Sequence, residues 1–153
     1  MPSDTRQRIL ADMRTALKAQ DEVRLRTLRL VASALQKEEI DSGQKADGLE
    51  ESKVIAIVQR QRKQRAEAIQ QYETANRPEL VQREQEELDI LQEYLPEQLD
   101  DAALLAAVES IVESTGASDI SDMGRVMGKA MGQLKGKADG KRVQQLVTSI
   151  LKR

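Results

Sequence analysis

Residues 50–96 read EESKVIAIVQRQRKQRAEAIQQYETANRPELVQREQEELDILQEYLP, and their pattern decides the fold. The first part is one long helix, from about Glu50 to Ala75, with Ile55, Val58, Ala66, Ile69 and Tyr72 as its expected inner face. Its middle, QRQRKQRAE, is polar, so this helix is expected to project partly into solvent. Asn76 and Arg77 lead into Pro78, a residue suited to a first helical position. Val81, Leu88, Leu91 and Leu95 follow at near-heptad spacing, and Pro96 ends the helix. Two helices joined by so short a connection predict an antiparallel hairpin.

Upstream, Ser3 or Asp4 can cap a helix carrying Ile9, Leu10, Met13 and Leu17 on one side. Asp21 can cap a second helix, with Leu25, Leu28, Val31, Leu35 and Ile40 at helical spacing. Its stop is expected at Gly43, because SGQKADG is polar and holds two glycines. Downstream, YLPEQLDD reads as a linker. Asp100 or Asp101 caps a fifth helix bearing Leu104, Leu105, Val108, Ile111 and Val112, which Gly116 closes. A sixth helix starts at Ser118 or Ser121 and carries Met123, Val126, Met127 and Met131. Asp139 caps the last, with Val143, Leu146, Val147, Ile150 and Leu151 as its stripe. The expected fold is all-α: an N-terminal helical domain with a long hairpin, residues 1–95, and a small three-helix domain, residues 96–153.

Composition agrees with helices and removes several chemistries. Among 153 residues there is no Phe or Trp and there are two tyrosines, so the core must be aliphatic. No cysteine means no disulfide and no thiolate nucleophile. No histidine removes the commonest neutral-pH base and zinc ligand. No catalytic residue, metal site or cofactor is expected. The start, MPSDTRQRIL, lacks an apolar export signal and no stretch approaches membrane length, so the expected location is the cytoplasm, with no membrane partner.

Charge is unevenly placed. Residues 78–113 hold one basic and 11 acidic side chains, whereas residues 114–153 hold eight basic and three acidic. Such asymmetry can mark a nucleic-acid contact, or simply two solvated faces of opposite sign. The acidic stretch Glu84, Glu86, Glu87, Asp89 and Glu93 lacks histidine partners and reads as an exposed helix face. The basic run Arg60, Arg62, Lys63 and Arg65 occupies several faces and reads as solvated.

The segment DMGRVMGKAMGQLKGKADGK, residues 122–141, places Gly124, Gly128, Gly132, Gly136 and Gly140 four apart. On a helix this spacing keeps one face bare, at a cost of about 1 kcal/mol per glycine against alanine. Either a partner comes close, or helices pack tightly there while Gly136 and Gly140 serve a turn. Lys135, Lys137, Lys141 and Arg142 cluster at the start of the last helix, with Arg125 and Lys129 on nearby turns. A helix N-terminus favours anions, and lysines beside it suit phosphates. The scarcity of aromatics argues against stacking of splayed bases and leaves shape and phosphate recognition of folded RNA. GQLKGK does not match a P-loop.

Taken together, MRTALKAQDEVRLRTLRLVASALQKEEID (13–41), EYLPEQL (93–99), DMGRVMGKAMG (122–132) and KGKADGKRV (135–143) resemble the YqeY family, of the GatB/YqeY group. The resemblance covers essentially the whole chain. Residues 97–153 are similar to the tail domain of the B subunit of the glutamine-dependent aspartyl/glutamyl-tRNA amidotransferase, a domain that helps hold the tRNA. A related module stands at the front of some glutaminyl-tRNA synthetases. The matching positions are Gly124, Arg125, Gly128, Lys135, Gly136, Lys137, Asp139 and Gly140.

The resemblance implies a tRNA-contacting accessory protein. The kinase and transamidation body of the B subunit and the Ser-Ser-Lys system of its amidase partner have no counterpart here, so a carbon–nitrogen ligase activity stands on family analogy alone. In the implied site Lys135, Lys137, Lys141 and Arg142 touch phosphates, the glycines permit approach, and Asp139 caps the helix. The competing expectation is a protein-interaction adaptor that binds through the hairpin, with a translation-related protein as partner. Oligomeric state is left open.

Overall fold

The computed structural model describes residues 3–43 and 48–153. Seven α-helices and no strand occur among the described residues. The chain divides into two compact units, residues 1–95 and residues 96–153.

The first unit contains α1 (Asp4–Ala19), α2 (Glu22–Asp41), α3 (Glu51–Thr74) and α4 (Pro78–Gln92). Its ends are chemically marked. Ser3 caps α1 by accepting from the Arg6 N–H, and Asp21 caps α2 by accepting from the Arg24 N–H. Gly43 follows α2 in the left-handed region, at φ +70°; Gln44–Asp47 of the stop signal lie outside the described residues. α3 and α4 are joined through Ala75–Arg77, with Asn76 left-handed at φ 54° and Pro78 at the first position of α4. Arg62 Nε donates to Gln92 (3.2 Å) and Arg65 pairs with Glu87 (3.4 Å), so rising numbers on α3 meet falling numbers on α4. The hairpin is antiparallel.

An aliphatic core of Ile9, Leu28, Val31, Leu35, Leu49, Val54, Ile57, Val58, Ile90 and Leu91 is closed by Tyr94. Three expectations about faces need correction. Of the expected inner face of α3 only Val58 is fully buried, beside Val54 and Ile57, while Ile55, Ala66, Ile69 and Tyr72 are partly covered. Leu17 and Ile40 are 56% and 70% exposed, not core residues. The charged runs are not wholly solvated, because Glu87 is only 5% exposed. Arg65, itself largely covered, and Arg26 flank the Glu87 carboxylate. Arg62 is also partly covered, and this desolvation pulls its pKa below the ordinary arginine value. A buried carboxylate is tolerated only with such partners.

A second set of polar contacts ties the chain start to α3. The Glu51 carboxylate accepts from the Ser3 and Thr5 hydroxyls and from the Thr5 N–H. Burial alone would raise its pKa, but the hydrogen bonds from Ser3 and Thr5 outweigh burial and hold it below the ordinary carboxylate range. Arg6 reaches buried Glu39 at 2.8 Å.

The second unit contains α5 (Asp101–Thr115), α6 (Met123–Leu134) and α7 (Gly140–Leu151). Asp100 caps α5 by accepting from the Ala103 N–H, and Gly116 ends it at φ 70°. Neither Ser118 nor Ser121 starts α6. A short 3-10 turn, Ile120–Asp122, leads in, and Asp119 and Asp122 form a reciprocal capping box around it. The Asp122 carboxyl is held below its usual range by the backbone N–H of Ser118 first, with Asp119 and Arg125 adding to it. Leu104, Val108, Ile111, Val112, Val126, Ala130, Leu134, Val143, Val147 and Leu151 make one core. Each helix contributes a single apolar stripe.

Candidate nucleic-acid interface

α6 turns its core side inward through Val126, Ala130 and Leu134, all buried. Gly124, Gly128 and Gly132 each lie two residues before one of these, about 200° around the helix, and so face away from the core. All three are exposed. A Cβ built on any of them would meet nothing within 4 Å. Tight helix packing therefore does not explain these glycines. Nothing inside the unit offsets their cost to α6, about 1 kcal/mol at Gly128 in the helix interior and less at Gly124 and Gly132 nearer its ends. The outer face of α6 is bare main chain, with the row Arg125 and Lys129 one residue further round.

The other two glycines do different work. Leu134–Lys137 form a type II turn in which the Lys137 N–H donates to the Leu134 carbonyl at 2.9 Å. Lys135 sits at φ -57°, ψ 127°, and Gly136 follows at φ +80°, a position that favours glycine. Gly136 is buried. Gly140 is the first residue of α7, and a Cβ there would lie 3.3 Å from the Met131 Cε. The five glycines thus make no single groove: three form the open face, one shapes the turn, and one packs against methionine.

The turn that carries Lys135 and Lys137 is fastened to the segment before α5. The Leu99 N–H donates to the Lys137 carbonyl at 3.0 Å, and the Gln98 amide donates to the Gly136 carbonyl. Asp139 caps α7 by accepting from the Lys141 N–H, as its place before the apolar stripe implied. Its carboxylate already occupies the position that an anion would take at the N-terminus of α7. Anion binding here falls to the side chains more than to bare N–H groups.

The six basic residues divide into two sets. Arg125 pairs with Asp122 at 3.1 Å, Arg142 approaches Asp101 at 3.7 Å, and Lys129 donates to the Ser114 hydroxyl at 2.7 Å. Lys135, Lys137 and Lys141 are exposed and enter no ion pair among the described residues. Periodicity alone gave no sign of this division, because Asp101 and Ser114 are distant in sequence. The acids Asp101 and Asp122 were the available signal. Among the described residues no group of three or more Asp and Glu side chains could hold a metal ion.

Comparison with known families decides the lineage: the model of the YqeY-like proteins matches residues 6–151. The chain belongs to the YqeY-like family. A curated relative, the "Altered inheritance of mitochondria protein 41, mitochondrial" of Pyrenophora tritici-repentis (strain Pt-1C-BFP), is 32% identical over 88 residues. That match covers 57% of this chain and 46% of the relative, so the YqeY-like chain matches less than half of the fungal protein's length. Among the described residues no helix is long and apolar enough to cross a membrane.

Proposed function

We propose that this YqeY-like protein is a non-catalytic, RNA-binding accessory protein whose C-terminal unit grips the phosphate backbone of folded RNA, with tRNA as the class its tail-domain resemblance implies. The observation that carries the reading is the outer face of α6. Three glycines spend helix stability where a Cβ would meet only open space. They therefore suit a contact outside the chain. Lys135 and Lys137 in the turn that follows α6, and Lys141 at the start of α7, are exposed and enter no ion pair among the described residues. A preorganised turn holding exposed lysines favours phosphate, and a bare helix face admits a bulky backbone. Arg125, Lys129 and Arg142 can join by exchanging surface partners, which are worth little in water.

The reading requires a compartment that contains such RNA. The cytoplasm satisfies it, and so does the mitochondrion that the name of the fungal relative carries. The ligase analogy gains no support from the side chains of this unit. The test is fluorescence anisotropy of labelled tRNA against the full chain and against Lys135→Glu/Lys137→Glu/Lys141→Glu. Loss of most of the affinity with an unchanged circular dichroism melt supports the site. Equal affinity in both proteins removes it.

A further inference from the structure

α1 carries two apolar stripes. Ile9 and Ala16 enter the core of the first unit, while Leu10, Met13 and Leu17 line a groove of about 280 Å³ with Leu25 of α2. Leu17 is 56% exposed there. The remaining lining residues are Arg14 and Arg29, exposed on the two helices. Neither arginine has an ion-pair partner among the described residues, and no carboxylate lines the groove. By contrast, Arg6, Arg24 and Arg26 in the same unit all pair with carboxylates.

We propose that this groove is a docking site for an acidic amphipathic helix of a partner protein, whose aliphatic side chains enter between Leu10, Leu17 and Leu25 while its carboxylates meet Arg14 and Arg29. Charge complementarity chooses the occupant. An apolar floor lined by two guanidinium groups without ion-pair partners among the described residues disfavours a basic helix and rewards a carboxylate, which arginine can hold in a bidentate pair. The concavity between two packed helices favours a third helix laid along it, anchored at three- and four-residue spacing. This surface lies outside the proposed RNA site and does not depend on it.

The probe is a fluorescein-labelled, side-chain-stapled helix of about four turns, with leucines at three- and four-residue spacing and glutamates elsewhere. Its control replaces every glutamate with lysine. Titrated into the full chain, the acidic peptide is expected to bind, and the lysine peptide is not. Leu17→Glu and the double variant Arg14→Glu/Arg29→Glu should each weaken binding roughly tenfold or more. Both alter exposed side chains, and a circular dichroism melt checks that they fold. Lys135→Glu/Lys137→Glu/Lys141→Glu should bind the peptide as the parent does, whatever it does to RNA. Equal binding of the two peptides, or indifference to the groove variants, overturns the proposal. Binding to phosphatidylserine-rich vesicles that Leu17→Glu abolishes, without peptide binding, overturns it in favour of a membrane surface.

Discussion

Alanine at Gly128 tests the reasoning about α6 from both sides. Gly128 lies in the interior of Met123–Leu134, where glycine costs about 1 kcal/mol against alanine. The added methyl would meet nothing within 4 Å, so no clash subtracts from the gain. Gly128→Ala should therefore stabilise the chain by about 1 kcal/mol, seen as a higher urea midpoint with an unchanged slope. Adding Gly132→Ala should extend the gain by somewhat less, because Gly132 is nearer the helix end. RNA affinity should fall as stability rises, since each methyl keeps a backbone from the helix surface. Urea melts followed by circular dichroism, with anisotropy of labelled tRNA, read both effects. A destabilised Gly128→Ala would refute the open-face geometry. A stabilised variant with unchanged RNA affinity would refute the claim that the face meets RNA.

Gly136→Ala should behave oppositely, losing about 1–2 kcal/mol because φ +80° strains any residue with a Cβ; the same urea melt distinguishes the two glycines. Glu87→Ala should destabilise by about 3 kcal/mol, since Arg65 would remain covered without its carboxylate, whereas Arg65→Met/Glu87→Leu should lie much nearer the parent. Glu51 has a folded pKa below its ordinary value, so its contribution is present above the unfolded pKa, about 4.3, and is lost as pH falls through the depressed folded value. Glu51→Gln should accordingly remove part of the stability at neutral pH and flatten the acid limb of a stability–pH profile.

Helix ends were the most legible feature of the chain. Ser3, Asp21, Asp100, Gly116 and Asp139 each stand at the boundary their chemistry suggests, because capping depends on local backbone geometry. The choice of face was less legible. α1 bears Ile9 with Ala16 and, beside them, Leu10 with Leu17; periodicity cannot tell which stripe finds a neighbour. Glu87 and Arg65 escaped because a charged residue looks solvated until its partner on another helix is known.

The candidate RNA site shows the same division between local and long-range information. The basic residues and the glycine period were visible in the sequence. That Arg142 meets Asp101, and that only three of the glycines share the open face, depended on the folding of α5 against α7 and on the turn at Gly136.

The central claim is tested most directly by titrating salt into a complex of the full chain with tRNA, beside a duplex RNA of equal length. The proposed tRNA reading predicts binding that prefers tRNA over the duplex, and Lys135, Lys137 and Lys141 acting on phosphates predict that it weakens linearly in log–log form. The slope should be of order -2 to -3 if each lysine releases about one counterion, and it should shrink in the triple reversal. Absence of binding at low salt, or a slope that the triple reversal leaves unchanged, would contradict it.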